Sequence, residues 1–368
     1  AVLTIDSPEI QPGDSVDIML SHTPTPPAGA TNVTAQDALA NVDLSVDFTM
    51  HNADGTDTPI HLDAASALSQ AIADGTLSTW LEGPLASEFS VDVPVNEQMH
   101  VTFNIRAFDD GNVMTDVVFA ADKSFTAGNE NLNYDVSIKE GGSEVYAYQN
   151  LDHHHKGTWH TEVWQGDDPS VHVIRDMDYF LKTGAVSNYD FSMGVKDSVL
   201  QQAYDAMQAS DTDPMGTGTV ETYMPGTGGR PDIGPLPTWA VRYLATQDER
   251  AEDVLFANAD AAGGIPWRYV DENTGEVISI DDFPNIWLDF RDASGQLPDG
   301  FTMSGTDWTT DVAHMPSMTY LPYLLSGSQY YLDEMQVQAN FGMASMNPAY
   351  RDYDGGIVDR HQLRGQAW

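Results

Sequence analysis

The sequence predicts a multidomain β-then-α protein: a β-sandwich or barrel-like region over residues 1–150, then antiparallel helical hairpins over residues 151–368. Three observations predict it. Up to residue 150, apolar residues alternate or gather in β-branched runs separated by Gly, Pro and Asp turns. Beyond that point they recur at helical spacing. The chain of 368 residues, 41% of them apolar, also exceeds what one ordinary core accommodates.

The strand candidates are residues 2–5, 15–20, 42–49, 100–106 and 113–119. Between them stand Pro12-Gly13-Asp14, Asp54-Gly55, Asp110-Gly111-Asn112 and Gly141-Gly142, the punctuation of short antiparallel strands. One helix interrupts them at 64–73, rich in Ala, Leu and Gln and stopped by Asp74-Gly75. The helical candidates that follow are 171–182, 195–209, 237–246, 251–262, 312–325 and 330–346. Pro237 suits a first helical turn, and Ser326-Gly327-Ser328 is a short hairpin connection. The segment 361–368 looks like the opening turns of one more helix. Long loops at 211–236 and 264–311, rich in Gly, Pro, Asp and aromatic residues, are where function is expected.

Charge narrows the setting. Fifty-six acidic residues face fifteen basic ones, giving a net charge of −41. Such self-repulsion is relieved where salt shortens the Debye length to ~3 Å at 1 M, so a halophilic or marine, extracellular or surface location is expected. No basic stripe exists to displace counterions from phosphates, which excludes nucleic acid as a partner. No apolar run is long enough to span a membrane. With no cysteine, disulfides, thiolate metal sites and a Cys nucleophile are excluded. The chain begins at Ala1 without a basic-then-apolar leader, so a processed or partial chain is expected.

The most distinctive stretches are His153-His154-His155-Lys156-Gly157-Thr158-Trp159-His160-Thr161-Glu162-Val163-Trp164, Tyr179-Phe180-Leu181-Lys182-Thr183-Gly184-Ala185-Val186-Ser187-Asn188-Tyr189-Asp190 and Thr227-Gly228-Gly229-Arg230-Pro231-Asp232-Ile233-Gly234-Pro235-Leu236-Pro237. With Trp80-Leu81-Glu82-Gly83-Pro84, they give residues 75–368 a texture and domain order that resembles exo-rhamnogalacturonan-lyase-like proteins. The resemblance implies an N-terminal β domain ahead of an (α/α)6 toroid of six helical hairpins. It also implies a carbohydrate-active ancestry, with a pocket between the two parts. The helices countable here fall short of a closed ring, and the chain stops on Arg364-Gly365-Gln366-Ala367-Trp368. A partial toroid continued in a longer chain is therefore expected.

A lyase acting on a uronic acid needs a base for the proton beside the carboxylate, and donors for the developing enolate. His154, His160, Arg230 and His314 are the catalytic candidates. Trp159, Asp232, Trp239, Trp267, Tyr269 and Arg364 are the substrate-binding candidates, aromatic faces suiting sugar rings. Structural readings stand beside each: core packing for the tryptophans, a loop-fixing ion pair for Arg230 with Asp232, helix capping for His314. A hydrolase would instead use a carboxylate pair, with Asp232, Glu162 and Asp311 as candidates. Calcium is a candidate cofactor at Asn52-Ala53-Asp54-Gly55-Thr56-Asp57 and Asp352-Tyr353-Asp354-Gly355-Gly356, though plain Asp-Gly turns explain both. The expected partner is a polysaccharide or other glycan. The alternative is a non-catalytic surface, filament or virion component that binds glycan or self-assembles. A short helical array, a charge opposed to anionic polysaccharide and the lack of an obvious acid–base pair favour that alternative.

Overall fold

The computed structural model describes residues 4–8, 10–11, 13–19, 29–124, 131–166, 168–169, 171–226, 229–288 and 306–356. Its elements run in chain order as α1 (Ala35–Asn41), β1 (Leu44–His51), β2 (Asp57–Asp63), α2 (Ala64–Asp74), β3 (Ser78–Leu81), β4 (Ala86–Pro94), β5 (His100–Phe108), β6 (Val113–Ala120), β7 (Leu132–Glu140), β8 (Ser143–His153) and β9 (Thr158–Gln165). After these come α3 (Met177–Lys182), α4 (Asp197–Gln208), α5 (Thr238–Thr246), α6 (Glu249–Asp260), β10 (Val270–Asp271), β11 (Glu276–Val277), α7 (Tyr320–Ser326) and α8 (Gln329–Ala344).

Two antiparallel sheets, ordered β2-β1-β7-β8 and β3-β4-β5-β6-β9, face one another across a shared core. Alternation selects the inner face. In β1, Leu44, Val46, Phe48 and Met50 are buried while their neighbours are half-buried. Tyr134, Val136 and Ile138 of β7 meet Phe103, Ile105 and Phe119 from the other sheet. The sandwich runs on to Gln165, past residue 150, because β8 and β9 complete the two sheets.

Local chemistry sets the helix ends. Thr34 and Asp37 form a capping box that starts α1, a helix too short to show in the apolar periodicity. Asp63 caps α2 by accepting from Ser66 N–H, and Gly75 ends it in the left-handed region at φ 69°.

The remainder corrects the expected array. Helices α3 to α8 are mostly short and do not form a ring of hairpins. α6 packs against α4, α5 and α7; among the described residues the short-linked pairs are α5 with α6, across Gln247-Asp248, and α7 with α8, across Gly327. The structure is therefore mixed, with two large antiparallel sheets, a small β10–β11 ribbon and scattered helices, and the toroid is overturned.

The physical reasons are local. Residues 171–176 stay outside the helix, which begins only where Asp176 caps it by accepting from Tyr179 N–H. Residues 312–319 stay irregular because Pro316 disfavours helical geometry at the residue before it. Much of the second core is loop, with Ile265, Trp267, Tyr269, Ile278, Ile286 and Leu288 all buried in it. The expected strands at 2–5 and 15–20 do not form in the described residues 4, 5 and 15–19, and Val2, Leu3 and Leu20 lie outside them. The expected helix at 361–368 lies outside them too.

The helical part sits on the outer face of β6 and β9. All eight residues of β6 are therefore buried, an unusual state for a strand of a two-layer sandwich. Gly263 makes the approach close. A Cβ there would stand 2.2 Å from Tyr330 Oη and 2.4 Å from Thr158 O.

Candidate functional site

Two histidine–carboxylate clusters hold most of the buried chemistry. The first lies where the outer face of β6 and β9 meets α6 and α8. Register places His160 beside Val118 and Glu162 beside Asp116. His160 Nδ1 stands 2.7 Å from Asp116 Oδ1, and Nε2 stands 3.2 Å from Asp260 Oδ1. Tyr331 Oη donates to that same Asp260 oxygen at 2.6 Å, and the His160 ring stacks on Tyr330 with centroids 3.7 Å apart. Burial opposes a charge on His160, but Asp116 and Asp260 outweigh it and hold its pKa well above the ordinary value. His160 is thus an imidazolium clamped between two carboxylates.

A second string of ion pairs continues across the join. Arg268 Nε donates to Asp122 at 2.8 Å and its Nη1 to Glu334 at 3.0 Å, while Thr158 Oγ1 donates to Glu334 at 2.6 Å. Asp122 also meets His100 Nε2 at 3.1 Å. Burial works against the Asp122 charge, yet His100 and Arg268 hold it below the usual carboxylate range. Beside this belt opens a cavity of about 170 Å³, lined by Tyr146, Trp159, His160, Asp213, Met215 and Asp260. Trp159 belongs to the sandwich core, stacked on Phe119 at 3.8 Å with its Nε1 donating to Tyr134 Oη at 2.9 Å. His154 sits at the rim of the join, its Nδ1 3.3 Å from Gly264 O.

The second cluster lies between two loops of the helical part. Paired backbone bonds align them: Thr309 N–H donates to Thr222 O at 2.9 Å, and Met224 N–H to Thr309 O at 3.1 Å. Arg230 fastens the same loops, donating to Tyr223 O at 2.8 Å and to His314 O at 3.1 Å, with Asp232 Oδ2 3.1 Å from its Nη2. Thr238 N–H, at the start of α5, donates to Pro231 O at 2.7 Å. Asp232 is 1% exposed, and burial pushes its carboxyl pKa up against the opposing pull of Arg230. The ring of His314 is held through Nδ1 by Asp311, both residues being buried. Among the described residues, His314 Nε2 and both Asp232 oxygens make no hydrogen bond.

The structure therefore gathers Arg230, Asp232 and His314 into one cluster, with Asp311 as the fourth member. Trp159 and His160 lie at the other one, with His154 nearby. Trp239, Trp267 and Tyr269 are packed in the helical core, and Lys156 Nζ lies 5.4 Å from the Tyr269 ring centroid. Arg364 lies outside the described residues. Sequence reasoning missed Asp116, Asp122, Asp260 and Glu334. A lone Asp in the apolar run Val113-Met114-Thr115-Asp116-Val117-Val118-Phe119 was the available signal, since buried acids are almost always paired.

Among the described residues no group of three His, Asp or Glu side chains is arranged to hold a metal ion. In the first calcium candidate, Asp54 accepts from Thr56 N–H at 3.0 Å and Thr56 Oγ1 at 2.6 Å, the bonding of an ordinary turn. No described helix is long and apolar enough to cross a membrane. No known family, curated protein or solved structure matches the chain.

Proposed function

We propose that the chain is an extracellular carbohydrate-active protein that cleaves a uronic-acid-containing glycan by β-elimination at the Asp311–His314 cluster. One observation carries this reading: Asp311 takes the Nδ1 side of His314, while Nε2, a buried atom, has no hydrogen-bond partner among the described residues. Accepting from Nδ1–H fixes the tautomer that leaves a lone pair on Nε2, the requirement for a general base. Nε2 takes the proton next to the uronate carboxylate. The electron pair left behind forms the new C=C bond, and the glycosidic C–O bond breaks. Asp232, whose carboxyl is biased toward the protonated form by burial, supplies the proton to the departing oxygen. Arg230 offers positive charge to the substrate carboxylate as the enolate develops.

The test is incubation in high salt with a panel of uronate polysaccharides, following ultraviolet absorbance of unsaturated products and reducing ends together. Absorbance that disappears in His314→Ala supports the reading. Reducing ends without absorbance replace elimination with hydrolysis by a carboxylate pair. Silence in both channels overturns the enzyme and leaves a non-catalytic glycan-binding or assembly component. The burial of Trp159, Trp239 and Trp267, which leaves none of them as an open sugar platform, favours that second reading.

A further inference from the structure

The cavity of about 170 Å³ at the join takes no part in the proposed elimination, and its wall has a chemistry of its own. Tyr146 and Trp159 supply rings, their centroids 5.8 Å apart and tilted by 33°. One face of Trp159 stacks on Phe119, so the cavity meets the rest of that ring and the ring of Tyr146. Asp213, in the loop after α4, and Asp260, at the end of α6, are both exposed and line the same cavity. Among the described residues that line it there is no Lys and no Arg.

The wall accepts hydrogen bonds and has little to donate. Both N–H groups of the His160 imidazolium are committed, to Asp116 at 2.7 Å and to Asp260 at 3.2 Å. Asp213 N–H donates to Asp211 Oδ1 at 3.1 Å and Gly216 N–H to Asp213 O at 2.8 Å, and Pro214 between them has no N–H. The hydroxyls of Tyr146, Thr161 and Thr212 accept as well as donate. The loop is also fixed in place. A Cβ on Gly216 would stand 2.5 Å from Asp211 O and 2.8 Å from Asp213 O. Met215 beside it holds φ 68°, and its Sδ accepts from His154 N–H at 3.4 Å. Tyr148 Oη donates to Asp213 Oδ2 at 3.5 Å and keeps that carboxylate beside β8.

Charge points the same way. Asp260 is the last residue of α6, where the helix dipole is negative, and no basic residue stands in that last turn. His160 offsets part of this charge but divides its own between Asp260 and Asp116. The negative field reaches Tyr146, whose phenol is pushed up to about 12 by burial and by Asp213. An anion is repelled here, and a neutral polyol finds acceptors without matching donors. A cation with N–H groups on a short carbon skeleton fits. Its N–H groups meet the carboxylates, its charge lies against the rings, and its carbons lie against Met215 and Ala261. We propose that this cavity binds a small organic amine in its protonated, primary ammonium form.

The test is ligand-observed saturation-transfer NMR on the full chain in brine of fixed ionic strength. The probes are propylammonium, 1-propanol and propionate, alike in size and different in charge, with tetramethylammonium as a cation that has no N–H. Expected is saturable binding of propylammonium in the millimolar range, about tenfold tighter than 1-propanol or tetramethylammonium, and no binding of propionate. Asp213→Asn should weaken propylammonium about tenfold and Tyr146→Leu about threefold. Asp74→Asn, which removes an exposed acid of α2 outside the cavity, should leave it unchanged. Circular dichroism checks that each variant is folded. Absence of saturable propylammonium binding overturns the proposal. Equal affinity for 1-propanol overturns it by making the cavity an apolar site, and equal affinity for tetramethylammonium removes the N–H contacts it requires. Weakening by Asp74→Asn as large as that by Asp213→Asn also overturns it, by tracing the binding to the net charge of −41. None of these outcomes touches the proposed elimination, whose assay reads product at another cluster.

Discussion

His160 and His314 offer the same residue in two settings. Each has an aspartate at Nδ1, 2.7 Å away for Asp116 and in direct contact for Asp311. They differ at Nε2. That of His160 faces Asp260 at 3.2 Å, while that of His314 has no hydrogen-bond partner among the described residues. A second carboxylate turns the imidazole into a fixed cation that joins sheet to helix. Without one, Nε2 of His314 is left buried and unpartnered among the described residues, and the proposed function assigns it the role of base. The neighbour at the far nitrogen, and not residue identity, separates the fixed cation from the histidine proposed as a base.

The largest expected effect tests the base. His314→Ala should lower turnover in the proposed elimination about 10²–10⁴-fold, measured by initial rates on protein whose circular dichroism shows it folded. Next comes the strut. His160→Ala leaves the Asp116 carboxylate buried without its cation, and should cost about 3–5 kcal/mol in denaturant unfolding in brine. If His160→Ala removed activity and left stability unchanged, the two assignments would exchange places. A smaller effect is expected at Gly263. An added Cβ would lie 2.4 Å from Thr158 O, a backbone atom with little freedom to retreat, so Gly263→Ala should cost about 1–3 kcal/mol. It should loosen the His160 side while leaving the Asp311–His314 cluster as it was.

Three strands of the sandwich were legible as alternating or β-branched apolar runs, although β6 is buried on both faces. β1, β5 and β6 fall on the runs at 42–49, 100–106 and 113–119 that alternation marks. The helical part was legible only in pieces. Helices α4, α6 and α8 match apolar periodicity to within a few residues, but periodicity says which face is buried and not against what. Here that face meets loops and the outer side of β6, so the inferred ring of hairpins was wrong. Of the sites, Arg230, Asp232 and His314 could be named because they punctuate a long loop and a proline-bound turn. Glu334 and Asp260 sit on ordinary amphipathic helices, where only the fold reveals that they face a buried His or Arg. Charge composition pointed to a saline setting and gave no hint that the acids at this join are buried and paired.

A further expected effect is a dependence of stability on pH, and it has opposite signs at different histidines. Burial pushes His153 down to about 4 and His155 down to about 3, from an ordinary 6.5. Both are neutral when folded, so the unfolded chain binds more protons below 6.5. Their contribution is present above that pH and is lost as the pH falls toward 4 and then 3. His100 runs the other way. Burial opposes its charge, but Asp122 and Asp92 outweigh burial and lift it to about 10. Its contribution is full below 6.5 and fades as the pH climbs to about 10. His160, held well above 6.5 by Asp116 and Asp260, acts in the same sense. Denaturation in brine should therefore show greatest stability near neutrality, with an acid arm of about 1 kcal/mol per pH unit just below 6.5. His153→Gln keeps a hydrogen-bonding side chain between Tyr134 Oη and Gly157 O but removes the titration. It should make the acid arm shallower, with His155 supplying the remainder, and leave the alkaline arm unchanged. An acid arm as steep as the parent's would move its origin away from the β8–β9 turn and onto the paired carboxylates, Asp122 first among them.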